Sequence, residues 1–161
     1  MFTKDQFLQI ITSEIAYKQN MIYAIDEDGK EHLMKNYTDV LIHKEENSIK
    51  IERMEAYNST IFGYCLELEN IHEHVGPITC HLFYAQEGAY SFKEHSDPDD
   101  VIIHCCEGHK TMNVNGTPFT IGSGAELHIP ANTLHQAFNE SEALTLSFGL
   151  EKFIEDKILA G

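Results

Sequence analysis

The run Val101-Ile-Ile-His-Cys-Cys-Glu-Gly108-His-Lys110-Thr-Met-Asn-Val-Asn115-Gly116-Thr-Pro-Phe-Thr-Ile121 sets the fold class. It opens with an apolar stretch, Val101 to Cys106, and breaks at the turn signal Glu107-Gly108. Thr111 to Val114 and Pro118 to Ile121 then flank Asn115-Gly116, a dipeptide that accepts the positive φ angles a two-residue hairpin demands. The same pattern extends both ways. Upstream, Ile78 to Ala85 is followed by Glu87-Gly88; downstream, Gly122-Ser-Gly124 precedes Glu126 to Ile129, and Leu144 to Phe148 completes the series. Many short apolar runs separated by turns predict a mainly β sandwich or small barrel.

Before residue 78 the pattern is mixed. Thr3-x-x-Gln6 is a capping box, and Phe7, Ile10, Ile11 and Ile15 follow at helical spacing, predicting one amphipathic helix over about residues 4–17. Met21 to Ala24 reads as a short strand before the turn Asp26-Glu-Asp-Gly29, and Ile49-x-Ile51 as another. Residues 30–47 are polar and decide nothing. Ile61, Phe62, Cys65, Leu66 and Ile71 suit a helix capped by Ser59, although their β-branched and aromatic start also suits a strand. A last helix over about residues 150–159 places Leu150, Phe153, Ile154 and Ile158 on one side. With no repeat, low-complexity tract or linker, the expectation is one domain over 1–161: a helix-and-strand segment over 1–77, a barrel over 78–150 and a terminal helix over 151–161.

The 161 residues carry 11 Lys and Arg against 26 Asp and Glu, a formal charge of −15. Phosphate recognition needs clustered cations, so neither nucleic acid nor an anionic membrane surface is the expected partner. The N-terminus lacks the basic start and apolar run of a signal peptide, and no segment is apolar for long enough to span a bilayer, which predicts a cytoplasmic protein. Cys65, Cys80, Cys105 and Cys106 have no C-x-x-C spacing, and reduced, buried thiols are the natural reading.

Chemistry concentrates in Phe92-Lys-Glu-His95-Ser-Asp97. On a strand, His95 and Asp97 point to one side and can present a nitrogen and a carboxylate to one point. With one further His, that is the facial ligand set of non-haem Fe(II) oxygenases. By itself the dipeptide pattern is weak, because 10 His among 26 acidic residues produce such pairs by chance, and His43-x-Glu45 is another. His72-x-His74 has ligand spacing in a loop context. His104 and His128 lie in strands and could face the barrel interior. Asp99 and Asp100 are alternative carboxylates.

Gly124-Ala-Glu-Leu-His-Ile-Pro130-Ala-Asn-Thr-Leu-His135-Gln-Ala-Phe-Asn139 resembles the second cupin motif, G-x5-P-x-G-x2-H-x3-N, with Asn132 in place of the second Gly. Asn tolerates the left-handed conformation such a turn needs. The first cupin motif matches less well, since Lys93 stands where its first His belongs. The run His95-Ser-Asp97, then Glu107-Gly108-His-Lys110, is instead similar to the cupin-like branch related to JmjC proteins and ribosomal-protein hydroxylases, which carry H-x-D followed by G-x-K. Leu144-Thr-Leu-Ser-Phe148 resembles that family's closing strand. The likeness covers about residues 78–150.

The resemblance implies a double-stranded β-helix, or jelly-roll barrel, and an Fe(II)/2-oxoglutarate-dependent oxygenase that hydroxylates an amino-acid side chain, free or within a protein. His95, Asp97 and His135 would hold iron. Lys110 would pair with the distal carboxylate of 2-oxoglutarate, and Ser147 falls where some relatives place a polar residue near the metal. Phe92 occupies the position where the family often has a hydroxyl donor to the cosubstrate, leaving Ser91, Tyr84 and Thr145 as substitutes. His81 stands where relatives often have Asn. Two rivals remain at this stage: a small-molecule cupin using Fe, Mn, Ni or Zn without 2-oxoglutarate, and a non-catalytic ligand-binding cupin. Barrel cupins often pair through edge strands and terminal helices, so a homodimer is the expected assembly.

Overall fold

A computed structural model describes residues 1–153. Its central element, β5 (Asp100–Val114), is a single strand of 15 residues that pairs antiparallel with four others. The expected turn at Glu107-Gly108 is instead a β-bulge. The register with β9 (Ala143–Leu150) shifts between Cys105 and Glu107, and Gly108 takes φ +79°. An extra residue in one strand reverses the inward–outward alternation beyond it. Before the bulge the odd positions Val101, Ile103 and Cys105 form one buried cluster; after it the even position Met112 joins them, and Lys110 is buried. Lys110 therefore faces the interior because of the bulge.

Gly108 is required at this point. A Cβ there would lie 2.0 Å from the carbonyl oxygen of Glu142, on a backbone that L side chains rarely adopt. Gly108→Ala is expected to cost at least about 2 kcal/mol in chemical unfolding. Stability within 0.5 kcal/mol of the parent, on the order of an ordinary surface change, would show that the bulge can relax.

The remaining barrel strands are β4 (Ile78–Ala85), β6 (Thr117–Gly122), β7 (Glu126–Ile129) and β8 (His135–Phe138). Asn115 and Gly116 take φ +51° and +85° and close the expected hairpin between β5 and β6. Three N-terminal strands, β1 (Ile22–Ile25), β2 (Glu31–Leu33) and β3 (Ser48–Ile51), extend the barrel's sheet in the order β2-β1-β3-β4-β9-β5-β6, while β7 and β8 both pair with β5. The architecture is mainly β, with a jelly-roll barrel at its centre.

The helices cover one face of this sheet. Thr3 and Gln6 form the expected reciprocal cap of α1 (Lys4–Ile11). The single helix expected over 4–17 is broken, because the backbone is extended at Ser13 before α2 (Glu14–Lys18). The break exposes Ile15 and buries Ala16 in its place. The polar stretch 30–47 contains β2 and α3 (Tyr37–His43), the latter capped by the Asn36 side chain. After α4 (Met54–Tyr57), α5 (Ser59–Ile71) is a helix, and its cap is Asn58 rather than Ser59. Phe7, Ile10, Ile61 and Leu68 meet Cys80, Leu82 and Tyr84 of β4 and Leu146 and Phe148 of β9 in one apolar core. Because strand side chains alternate, the other face of β4 and β9 is left to Thr79, His81, Phe83, Thr145 and Ser147, which line a cavity.

Leu150 ends β9 and residues 151–153 have no regular structure; the rest of the expected terminal helix lies outside the described residues. Among the described residues, no helix is long and apolar enough to cross a membrane.

Candidate metal centre

The structure brings His95, Asp97 and His135 to one point. One ligand atom from each lies within 4.8 Å of the others. Asp97 Oδ2 is 3.3 Å from His135 Nε2 and 3.7 Å from His95 Nε2, and the two rings are tilted with centroids 4.5 Å apart. His135 begins β8, and His95 sits in the irregular segment before β5. A single antiparallel bridge joins them, with His135 N–H donating to the His95 carbonyl at 2.8 Å and His95 N–H to the His135 carbonyl at 3.1 Å. Asn132 N–H donates to the Asp97 carbonyl at 2.7 Å, and Asn132 takes φ +62°, the left-handed turn expected of the residue replacing the motif Gly.

Both imidazoles are oriented for coordination. His95 Nδ1 is 2.7 Å from the Lys93 carbonyl and His135 Nδ1 is 2.9 Å from the Thr133 carbonyl. A carbonyl only accepts, so each Nδ1 carries a proton and each Nε2 faces Asp97, able to offer its lone pair to a cation when the imidazole is neutral. Without a cation, doubly protonated His135 donates from Nε2 to Asp97, and this bond, opposed by partial burial and aided by the charge of His95, holds the Asp97 carboxyl below its ordinary pKa. The reciprocal bond raises the pKa of His135. Two neutral nitrogens and a carboxylate are a donor set that fits a first-row divalent cation and leaves the other positions open.

Lys110 lies in the same cavity, 5% exposed. Burial pulls its pKa down to about 8. Among the described residues it has no carboxylate partner, and its Nζ donates to Asn139 Oδ1. Asn139 Nδ2 in turn donates to Ser91 Oγ at 2.7 Å, to the Ala89 carbonyl at 2.7 Å and to Ser48 Oγ at 3.2 Å. A buried ammonium that donates to one neutral amide oxygen is chemically suited to pair with an anion.

The other candidates separate cleanly. Ser147 and Thr145 line the cavity, as does Ser91. Tyr84 does not: its ring stacks on Phe7 in the helix-side core at 4.6 Å, and its hydroxyl donates to Glu142. Phe92 replaces a hydroxyl with a wall, packed edge-on against both His95 and Phe83. His104 and His128 face away from the interior. His104 Nδ1 is 2.9 Å from Glu126 beside Tyr64 of α5, and His128 pairs with Asp100 at 2.9 Å beside His72. Asp100 is thereby committed to His128 and to the Ala131 N–H. Asp99 Oδ1 accepts from the Lys152 N–H. His72 and His74 join no metal-sized cluster among the described residues.

Lys50 was not foreseen as part of this cavity. It lines the wall on β3 at 8% exposure, paired with Glu31 at 2.5 Å and Glu52 at 3.4 Å. The alternation Ser48-Ile49-Lys50-Ile51 carried the signal, since two buried isoleucines on one face place Ser48 and Lys50 on the other.

The cupin domain family matches residues 81–149, from within β4 to within β9, a stretch that holds all three clustered side chains. Over that stretch the chain is similar to cupin domains. Its barrel is also similar to solved structures of YcfD, a ribosomal oxygenase from Escherichia coli, in complex with cobalt and 2-oxoglutarate and with cobalt and succinic acid. Each has a TM-score of 0.74 at 13% identity over 99% of this chain. This chain spans 46% of that enzyme's length, and at this identity the likeness establishes fold alone. A conserved protein of unknown function from Streptococcus pyogenes matches 49% of this chain, and 68% of its own, at 15% identity and a TM-score of 0.45. No curated protein sequence matches the chain.

Proposed function

We propose that this cupin is an Fe(II)/2-oxoglutarate-dependent oxygenase that hydroxylates an amino-acid side chain, free or within a peptide. The observation that carries the proposal is a buried lysine with no carboxylate partner among the described residues, in the same cavity as two imidazoles and a carboxylate that meet at one point. 2-Oxoglutarate is a dianion with a chelating 2-oxo acid at one end and a carboxylate at the other. Such a molecule needs a metal and a fixed cation facing one cavity.

Each residue then has a task. His95, Asp97 and His135 hold the metal, and the Lys93 and Thr133 carbonyls fix the tautomers that make the two Nε2 atoms ligands. Lys110 takes the distal carboxylate, with Asn139 aiming its ammonium and Ser91 and Ser48 anchoring Asn139. Thr145 and Ser147 supply hydroxyl groups along the wall. Phe92 and Phe83 exclude water beside His95. Bound Fe(II) supplies the activation of dioxygen, and the overall exchange is 2-oxoglutarate, O2 and R–H to succinate, CO2 and R–OH. Similarity in fold to a ribosomal oxygenase bound to cobalt and 2-oxoglutarate supports the cosubstrate.

The test is turnover. Fe(II)-loaded protein in air is expected to convert 2-oxoglutarate to succinate with matching oxygen uptake, slowly alone and faster with a cognate peptide, and His135→Ala is expected to abolish both. Oxygen uptake that proceeds without 2-oxoglutarate would assign the cavity to a small-molecule cupin dioxygenase instead.

A further inference from the structure

β2 ends the sheet, and its outer edge is open among the described residues. The pairing with β1 decides which backbone groups that edge offers. Met34 N–H donates to the Ile22 carbonyl and Asp26 N–H to the Lys30 carbonyl, both at 2.9 Å, so Lys30, His32 and Met34 face β1. Hydrogen-bonded and non-hydrogen-bonded pairs alternate along an antiparallel ladder, which turns the N–H and C=O of Glu31 and Leu33 outward. No group beyond the ladder hydrogen-bonds to either backbone among the described residues, and both residues are exposed.

The same edge leads into the cavity. Cross-strand partners share a face of the sheet. Leu33, Tyr23 and Lys50 are partners across β2, β1 and β3, and Glu31, Ile25 and Ser48 form the next row. Glu31, Ile25, Ser48 and Lys50 line the cavity, and Leu33 continues that face outward at 39% exposure. The turn before β2 abuts the segment that carries His95 and Asp97, since a Cβ on Gly29 would lie 3.2 Å from Lys93 N. A strand added to β2 would therefore extend the cavity wall, with one end beside the metal centre.

Charge selects the occupant. A second copy of the chain would set −15 against −15, and Asp28, Glu31 and Glu94 all line this side of the cavity. A basic group is better matched. Lys50 is held by Glu31 at 2.5 Å and by Glu52 at 3.4 Å, so Glu31 can turn to an incoming cation while Glu52 keeps Lys50 paired.

We propose that β2 is the docking strand for a peptide substrate. An extended segment adds to its open edge through the N–H and C=O groups of Glu31 and Leu33, with a basic side chain beside Glu31 and an apolar one beside Leu33. That the segment belongs to a substrate rests on the oxygenase reading above, and it narrows the hydroxylated side chain to one within a polypeptide.

The probe is the capped heptapeptide acetyl-Thr-Val-Thr-Lys-Thr-Val-Thr-amide. As a strand it places Lys between two Val on one face, and its palindromic order suits either strand direction. It is titrated into 15N-labelled, Zn(II)-loaded protein with 2-oxoglutarate and followed by NMR. The Glu31 and Leu33 amides are expected to shift saturably and to exchange more slowly, while the His32 amide, which faces β1, changes little. Replacing the central Lys of the peptide by Glu is expected to weaken binding about fivefold. Leu33→Pro removes an N–H that makes no ladder bond, so the edge strand tolerates it, and should weaken the Lys peptide about tenfold with Zn(II) affinity and thermal unfolding unchanged. Leu33→Val keeps the edge and should bind like the parent. Absence of binding, binding that leaves both amides unmoved, or parental affinity in folded Leu33→Pro would overturn the proposal. Protection of the same amides that grows with protein concentration, without peptide, would give the edge to a second copy and equally overturn it. Affinity for 2-oxoglutarate in the same samples separates the two ideas. No 2-oxoglutarate binding with the β2 response intact removes the oxygenase reading and leaves the strand addition, whereas 2-oxoglutarate binding without a β2 response removes only the docking strand.

Discussion

Asp97→Ala is expected to lower Fe(II) affinity by at least about a hundredfold, beyond what loss of an outer-shell partner produces. Asp97 is the only anion of the triad, and its Oδ2 lies within 3.7 Å of both imidazole Nε2 atoms. Removing it leaves two neutral nitrogens facing a divalent charge in a half-buried site. The fold should survive, since Asp97 is 37% exposed and its backbone carbonyl, not its side chain, receives the Asn132 N–H. Calorimetric titration under nitrogen, with thermal unfolding as a control, distinguishes the outcomes. Unchanged affinity in a folded variant would move the metal elsewhere.

Lys110→Met should weaken 2-oxoglutarate binding by about a hundredfold or more, while metal affinity stays within a few fold. Truncating one partner of a buried charge pair costs about 2–5 kcal/mol, because the other charge is left without compensation. The ligand-free protein responds in the opposite direction. Lys110 is buried against the Asn139 amide oxygen with no carboxylate partner among the described residues, and burial depresses its pKa to about 8, so its ammonium is a cost to the fold that Met removes. A variant that is more stable yet binds the cosubstrate worse identifies a site held ready at the expense of stability. The same residue sets a pH dependence. The distal carboxylate stabilises the ammonium, so Lys110 titrates higher in the complex than in the free protein. Affinity is then flat below about pH 8 and falls as pH rises above it, because binding must first return a proton to Lys110. Affinity that rises between pH 8 and 9, or a Met variant with parental affinity, would rule out this role.

Most of the barrel was legible because its signals are local. Asn115-Gly116 dictates a hairpin whatever surrounds it, and short apolar runs bounded by turn signals marked β4, β7 and β9. The bulge was misread as a turn because Gly108 has the same positive φ in either structure; what distinguishes them is pairing with Ala143, far along the chain. The break at Ser13 was missed for a similar reason, since the apolar spacing through Ile15 continues the pattern while tertiary packing selects Ala16. At the candidate site, His95, Asp97, His135 and Lys110 could be named from motif spacing, and the structure gathers them around one cavity. What spacing could not show is which polar groups on strands turn inward. Tyr84 and His81 both lie on β4, yet they point to opposite faces, one into the helix core and the other into the cavity. Lys50 was hidden because a lysine in an N-terminal strand reads as solvated until the sheet order places β3 beside β4.

The central claim is that a 2-oxo acid chelates iron at His95, Asp97 and His135 while Lys110 holds its far end. It is tested most directly by anaerobic titration of the Fe(II) protein with 2-oxoglutarate, followed in the visible. The expected result is the charge-transfer band of a 2-oxo acid bound to Fe(II), absent in Asp97→Ala and requiring far more 2-oxoglutarate in Lys110→Met. Iron bound to the wild-type protein with no such band at saturating 2-oxoglutarate would contradict the account.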